Sequence, residues 1–350
     1  WDGEDGLSLE GERLMSAAAM VKAVVTSGDG GPEVMQLGEV PMPESGEGEV
    51  LIRIAATAVN RADTMQRKGA YPPPPGESEI MGLEAVGVIE KLGEGVEGWK
   101  VGDRVMTLLG GGGYAAFAKA PVGTLMAVPE GFSMTEAAAI PEVFLTAYLN
   151  IFREAGLKPG ETLLMHGGAS GVGTAAIQLA KALGPSEVIV TVGGEDKAEA
   201  CKALGADHAI LYKQEDFADR VLEITEKRGA DVILDHIGGG YLPQNMTCLA
   251  IYGRLVIIGL MGGAKAELNV GRMMVKRQRV IGSVLRARST KEKTDLTDAF
   301  RNEALGLFAS GKLKPVIHDV LPLDEVVKAH EMMEASANTG KIILSVDEEL

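Results

Sequence analysis

Cysteine is almost missing from this sequence: two residues in 350, Cys201 and Cys248. Two thiols exclude a disulfide framework and a Cys-rich structural zinc lobe, and they suit a reducing compartment. Positive charge is also scarce. Lys and Arg number 34 against 49 Asp and Glu, which leaves a formal charge of −15 and a sequence pI near 4.9. A dedicated nucleic-acid binder needs a basic surface, so this balance argues against nucleic acid as a partner. No run of about 18 consecutive apolar residues occurs, which excludes a membrane-crossing helix. The opening stretch from Trp1 to Arg13 holds acids at Asp2, Glu4, Asp5, Glu10 and Glu12, unlike an acid-poor, Arg-rich transit peptide. We read residues 1–19 as a disordered leader and expect a cytoplasmic protein with no membrane partner.

Glycine, by contrast, is abundant at 46 residues, and it clusters without a three-residue period. That excludes collagen and predicts many tight turns. The length allows two or three domains, and a hydrophobic content of 46% suffices for ordinary cores. From Met20 onward, Val21–Val25, Glu49–Ile54, Val86–Glu90 and Arg104–Leu109 read as short strands separated by Gly, Pro and Glu. Frequent turns between short strands predict a β-rich, partly open barrel. Asn60 to Arg67 reads as one or two helical turns. Tyr71 to Gly76 must be extended, because its four prolines lack amide donors and fix φ.

Beyond Phe144 the texture becomes α/β. Glu161–His166 is a strand without polar alternation, as in a buried parallel sheet. The turn Gly167-Gly168-Ala169-Ser170-Gly171-Val172-Gly173 follows, then a helix from Thr174 to Leu183. Strands at Val188–Val192, Ala209–Leu211, Asp231–Asp235 and Gly253–Gly259 alternate with helices at Lys197–Leu204, closed by Gly205, and at Asp216–Arg228. This alternation predicts a doubly wound parallel sheet. The glycine turn stands where a dinucleotide fingerprint must stand, between a buried strand and a helix. Small residues there let the backbone approach a pyrophosphate at the positive helix end. The pattern is Gly168, Ser170 and Gly173, with Ser in the middle glycine's place and Gly171 extra. At the end of the next strand, an NAD enzyme carries an acid for the ribose 2′-hydroxyl. Here Gly193-Gly194 leaves room, and Lys197 could hold a 2′-phosphate with Tyr212 and Lys213 nearby. Glu195 and Asp196 oppose this unless they point outward as helix N-terminal acids. We expect NADPH as the cofactor.

Several segments together resemble one family: Asn60-Arg61-Ala62-Asp63, Gly69-Ala70-Tyr71 with Pro73-Pro74-Pro75-Gly76, Gly82-Leu83-Glu84, Ala138-Ala139-Ile140-Pro141-Glu142, Ala169 to Ala176, and Gly259-Leu260-Met261-Gly262-Gly263. From Met20 to the C-terminus the chain resembles the zinc-free quinone oxidoreductases of the medium-chain dehydrogenase/reductase superfamily, most closely the tumour-suppressor-inducible branch. That resemblance implies a GroES-like lobe over residues 20–143 and a Rossmann domain over 144–285. It also implies a C-terminal segment, 286–350, returning to the first lobe. Asn60 and Tyr71 would then be the catalytic residues in the cleft beside the nicotinamide. Ser170, Gly171, Val172 and Gly173 would hold the pyrophosphate, and Lys197 and Tyr212 the adenosine phosphate. Thr146, Gly259, Leu285 and Lys341 would flank the nicotinamide or close the site. The family usually has Ser where Gly194 stands, which removes one phosphate donor. By analogy, sheet edges would pair two subunits into a homodimer.

Zinc-dependent relatives carry Cys where Asn60 stands and His where Leu83 stands. Leu cannot ligate and Glu84 alone cannot hold the ion, so no metal is expected. The five histidines lack ligand spacing and read as structural or surface residues. Without a Lewis acid, an alkoxide is hard to stabilise, whereas a quinone delocalises the charge of an arriving hydride. The expected activity is therefore reduction of a small-molecule quinone by NADPH in the interlobe cleft. The family's association with semiquinone release leaves one-electron transfer open. Tyr71 would be a protonated hydrogen-bond donor at its ordinary pKa; the alternative is a residue that only packs on the proline run. Asn60 could instead cap the helix it precedes. Alternatives are reduction of α,β-unsaturated carbonyls by the same cleft, or a cofactor-binding structural or RNA-associated protein. The basic residues Arg272, Lys276, Arg277, Arg279, Arg286 and Arg288 read as a solvated face, or as a field that steers an anionic ligand.

Overall fold

A computed structural model describes residues 19–184 and 186–350; the expected leader lies outside these residues except for Ala19. The first strands, β1 (Met20–Thr26) and β2 (Met35–Pro41), form an antiparallel hairpin. The sheet of the first lobe is built on β3 (Glu49–Val59), β4 (Glu84–Leu92), β5 (Arg104–Leu108), β6 (Phe117–Pro121) and β7 (Leu125–Ala127). Strand β3 pairs antiparallel with β6 over Glu49–Arg53 and, on its other edge, with β4 over Val50–Ala56. Strand β3 is apolar and buried almost throughout because its side chains enter three apolar cores, with Ile52 and Ile54 in one, Ala56 and Ala58 in another and Val59 in a third.

A helix at Pro141–Tyr148, opened by a proline at its first position, leads into the second lobe. There β8 (Thr162–His166), β9 (Glu187–Val192), β10 (His208–Leu211), β11 (Ala230–Asp235), β12 (Leu249–Ile257) and β13 (Arg279–Gly282) form one parallel sheet. Its order, β10-β9-β8-β11-β12-β13, is that of a doubly wound dinucleotide fold. Two helices differ in length from expectation. The helix after β8 spans Gly171–Leu183, because the Ser170 hydroxyl accepts the Gly173 amide at 3.0 Å and starts it three residues early. The helix after β10 spans only Phe217–Ile224, since Glu226 and Lys227 turn to positive φ.

The chain then returns. Strand β14 (Ile317–Pro322) lies parallel to β15 (Lys341–Ser345), and β15 pairs antiparallel with the second half of β3. The largest apolar core joins the lobes: Ala56, Val86 and Met106 of the first sheet, Phe144 and Tyr148 of the linking helix, Leu163 and Val190 of the second sheet. Phe144 meets Phe308, and Tyr148 meets Phe300, edge to face at 4.9 and 5.6 Å. The two lobes therefore share a packed base.

Candidate active site

The glycine turn sits at the carboxyl end of β8 and is packed tightly from behind. A Cβ on Gly173 would lie 2.4 Å from the Gly167 and Gly168 carbonyl oxygens, so no side chain fits there. A Cβ on Gly171 would lie 2.8 Å from Lys341 Cδ and 2.9 Å from Val143 Cγ1. The returning strand thus leans on the turn, and the Gly340 amide donates to the Ala169 carbonyl at 2.8 Å. Further along the crevice, Gly193 at the end of β9 faces the Tyr212 hydroxyl. The Lys197 ammonium lies close by and reaches across to the first lobe's side, donating to the Ser336 carbonyl at 2.6 Å. Arg61 donates to the Ser336 hydroxyl at 3.1 Å. Glu195 and Asp196 are exposed in the first turn of the helix Glu195–Ala203, and Asp196 Oδ1 would lie 2.9 Å from a Cβ on Gly194.

Where the lobes meet, Asn60 does not use its side chain as a simple helix cap. Its Nδ2 donates to Glu84 Oε1 at 2.9 Å, and its Oδ1 accepts from Lys341 Nζ at 2.6 Å. The cap is supplied by Asp63, whose carboxylate accepts the Asn60 amide at 2.8 Å at the start of the helix Arg61–Arg67. Lys341 Nζ also donates to Glu84 Oε1 at 2.8 Å and to the Val59 carbonyl at 3.2 Å, which uses all three of its protons. Both ends of this ion pair are buried. The other Glu84 oxygen accepts the backbone N–H of Glu142 at 2.9 Å, and Thr146 donates its hydroxyl to Glu142 Oε1 at 3.0 Å. Glu142 is half-buried. Burial, with Glu84 and Asp63 nearby, pushes its carboxyl up to about 7 despite the opposing Lys341 charge.

Beneath Asn60 a buried polar chain fixes the geometry. Asp63 accepts the Tyr114 hydroxyl at 3.0 Å, and Tyr114 contacts His330 Nε2 at 3.1 Å. Arg67 lies 3.0 Å from His330 Nδ1. Arg67 can only donate, so Nδ1 accepts and Nε2 carries the proton, giving one directed chain from Arg67 to Asp63. Burial, and the charge of Arg67, hold His330 down to about 3 and therefore neutral.

Tyr71 is half-exposed in its loop, which Arg286 secures. The guanidinium donates to the Tyr71 carbonyl at 3.1 Å, the Gly110 carbonyl at 2.8 Å and Gln66 Oε1 at 2.8 Å, and lies 5.4 Å from the Tyr71 ring centre. Burial raises the Tyr71 phenol above its ordinary value, so it stays protonated. Arg286 is buried, which corrects the reading of it as part of a solvated basic face. Arg272, Arg277 and Arg279 stay exposed, as expected of a solvated face, with Arg272 donating to Thr247 and half-buried Lys276 to the Thr247 and Leu249 carbonyls.

The structure thus gathers Asn60, Thr146 and Lys341 into one cluster, and Lys341 joins it to the turn Ser170-Gly171-Val172-Gly173. Lys197, in the helix after β9, and Tyr212, directly after β10, sit apart from that cluster. Gly259 follows β12 and backs onto His236, whose carbonyl oxygen would be 2.8 Å from a Cβ there. Leu285 packs half-buried on the interlobe core. Sequence reasoning missed Glu84 and Glu142 as functional residues. Their signal was an acid opening an apolar strand at Glu84-Ala85-Val86, and an acid directly after the first-position proline of a buried helix. A zinc ion does not fit this donor set. Asn60 and Leu83 offer no thiolate or imidazole, Lys341 already neutralises Glu84, and no group of three potential ligands occurs among the described residues.

Known proteins bear on this architecture directly. Residues 46–130 match the alcohol dehydrogenase GroES-like domain family, and residues 171–301 match the zinc-binding dehydrogenase family. The pig quinone oxidoreductase is 35% identical over 340 residues, covering 95% of this chain and 98% of that protein. A quinone oxidoreductase structure from Pseudomonas syringae superposes with a TM-score of 0.83 at 33% identity, covering 93% of this chain and all of that one (100%). A mycobacterial protein solved in complex with NADPH gives 0.85 at 30% identity, with 93% and 100% coverage. The JamJ enoyl reductase gives 0.83 at 26%, with 93% and 99% coverage. The chain belongs to the medium-chain dehydrogenase/reductase superfamily. Within it, its relatives include the quinone oxidoreductases, and it is a nicotinamide-dependent oxidoreductase.

Proposed function

We propose that this protein reduces quinones with NADPH, without zinc, in the cleft between its lobes. The observation that carries the reading is the junction at Gly171. There a pyrophosphate-sized turn at a helix N-terminus is in contact with Lys341, the residue that anchors the Asn60–Glu84 cluster of the other lobe. The residues fit the cofactor. The glycines keep the turn free of side chains, so its amides can face a diphosphate, and Lys197 with Tyr212 suits a 2′-phosphate. Bound there, the cofactor supplies the hydride. The protein supplies position: Asn60 and Thr146 line the nicotinamide end, Leu285 and Gly259 shape its walls, and Tyr71 orients the quinone through its protonated hydroxyl. The fixed ammonium of Lys341 stands beside Glu84, so that carboxylate needs no metal.

The same reading pairs two subunits edge to edge along β13, an edge strand of the parallel sheet, with Ile251 of β12 and Val270, Met274 and Val275 of the helix Val270–Lys276 exposed on the same half of the lobe. It also places the protein in the cytoplasm, in keeping with the two buried free thiols. Enone reduction is the second reading, favoured by the likeness to an enoyl reductase. Lys197→Ala tests the cofactor assignment: it should raise the Michaelis constant for NADPH far more than that for NADH. Equal effects would remove the 2′-phosphate from the account.

A further inference from the structure

Adding a hydride to a quinone leaves an oxyanion, and the product is complete only when a proton reaches that oxygen. We propose that the carboxylic acid of Glu142 is the proton donor for the reduced substrate, an inference that rests on the quinone-reductase reading above. Glu142 stands in the first turn of the interlobe helix Pro141–Tyr148, next to Val143, which abuts the glycine turn. Its backbone N–H is held by Glu84, and its Oε1 by the Thr146 hydroxyl. The other oxygen, Oε2, has no hydrogen-bond partner among the described residues, and Glu142 keeps partial solvent access where the lobes meet. A carboxyl fixed at one oxygen and open at the other can place a proton on the open one.

The surrounding charges favour an acid there. The one nearby ammonium, Lys341, already faces the Glu84 carboxylate at 2.8 Å. Asp63 lies beyond it, and Tyr71 is close enough for Glu142 to raise its pKa. Ionising Glu142 as well would set a second carboxylate against the same ammonium, so the protonated form persists to about pH 7. Tyr71 is a poorer source, because its phenol is raised above its ordinary value and is no stronger an acid than a hydroquinone. A carboxylic acid transfers the proton downhill.

The step balances. A C–H bond of the reduced nicotinamide breaks, its electron pair forms the O–H bond at one quinone oxygen, and the displaced π electrons settle on the other oxygen. The O–H bond of Glu142 then breaks and an O–H bond of the hydroquinone forms. Glu142 is left as carboxylate beside Lys341 and regains its proton from water at its exposed side.

Glu142→Gln tests the inference. It should bind NADPH with unchanged affinity, while kcat for quinone reduction falls about 100-fold or more, the low end of general acid catalysis. The wild-type rate should decline above about pH 7, and this limb should vanish in the variant. A readout free of cofactor is carboxyl titration by ¹³C NMR of Glu-labelled protein: one resonance with a midpoint near 7 should be missing from the variant. Glu142→Asp should retain the limb at reduced rate, and it keeps the test open if the Gln variant folds poorly. An unchanged rate and pH profile in a folded Glu142→Gln protein would overturn the proton-donor role and leave quinone reduction intact. Failure of the wild type to bind NADPH would instead overturn the reading beneath it.

Discussion

Lys341 and Glu84, 257 residues apart in the chain, meet as a buried ion pair at 2.8 Å. The contact ties the returning strand β15 to the start of β4, and both side chains hold Asn60. A buried pair gains little over apolar residues of the same shape, but breaking it strands a charge.

Lys341→Met should therefore cost about 3–5 kcal/mol of stability, because Glu84 loses its counter-charge. The double variant Lys341→Met with Glu84→Gln should recover a large part of that loss. Urea denaturation of the single and double variants measures it. Additive losses would mean that the two groups do not interact.

Arg286 crosses from the end of the second lobe to hold Tyr71, Gly110 and Gln66 at once. Lysine cannot reproduce that fork. Arg286→Lys should leave carbonyls without partners, at about 1–3 kcal/mol in stability. It should also raise the quinone Michaelis constant, since the Tyr71 loop loses its anchor. NADPH affinity should not move, because Gly110, Tyr71 and Gln66, which Arg286 holds, are outside the proposed nucleotide site. Steady-state kinetics with a fluorescence titration of the nucleotide separates the two effects.

Stability should be nearly flat between about pH 4.5 and 6. Burial lowers His166 and His330 to about 3 and His236 to about 4, so the unfolded chain binds protons that the folded one refuses. Alone, this would make stability fall with acid. Burial raises Asp63 and Asp235 to about 6 and Glu142 to about 7, so the folded chain holds protons that the unfolded one has released. Alone, that would make stability fall as pH rises. The two sets are equal in number and opposite in sign across this window. Below about pH 4.5 the carboxylates of Glu161, Asp207 and Asp216, which are lowered in the folded state, lose their partners' stabilisation and the protein should weaken. Melting temperatures across the range check the plateau. His330→Gln should tilt it, with stability falling as pH rises, by about 1.4 kcal/mol per unit.

Local physics made much of the fold readable. Unbroken apolar strands alternating with helices implied the parallel sheet, because both of its faces are covered. The glycine turn was visible because only small residues pack as Gly173 does. Helix ends were harder. The capping hydroxyl of Ser170 and the positive φ of Glu226 and Lys227 outweighed the apolar period. The cluster itself was only half legible. Asn60 and Lys341 entered through family resemblance, and nothing local tells that Glu84 would bridge them. Arg286 looked like one more solvated arginine in a basic run. Its burial depends on Gly110 and Tyr71, which are distant in sequence and meet it only in the folded chain. Composition and spacing report on neighbours along the chain, while this site is made of neighbours across it.

The most direct test follows nucleotide oxidation by chelator-treated protein given NADPH and a simple para- or ortho-quinone, with an enone in a parallel reaction. The account predicts steady turnover with the quinone, faster than with the enone, and a marked preference for NADPH over NADH. Absence of both nucleotide binding and turnover, or activity that returns only when zinc is added, would contradict it.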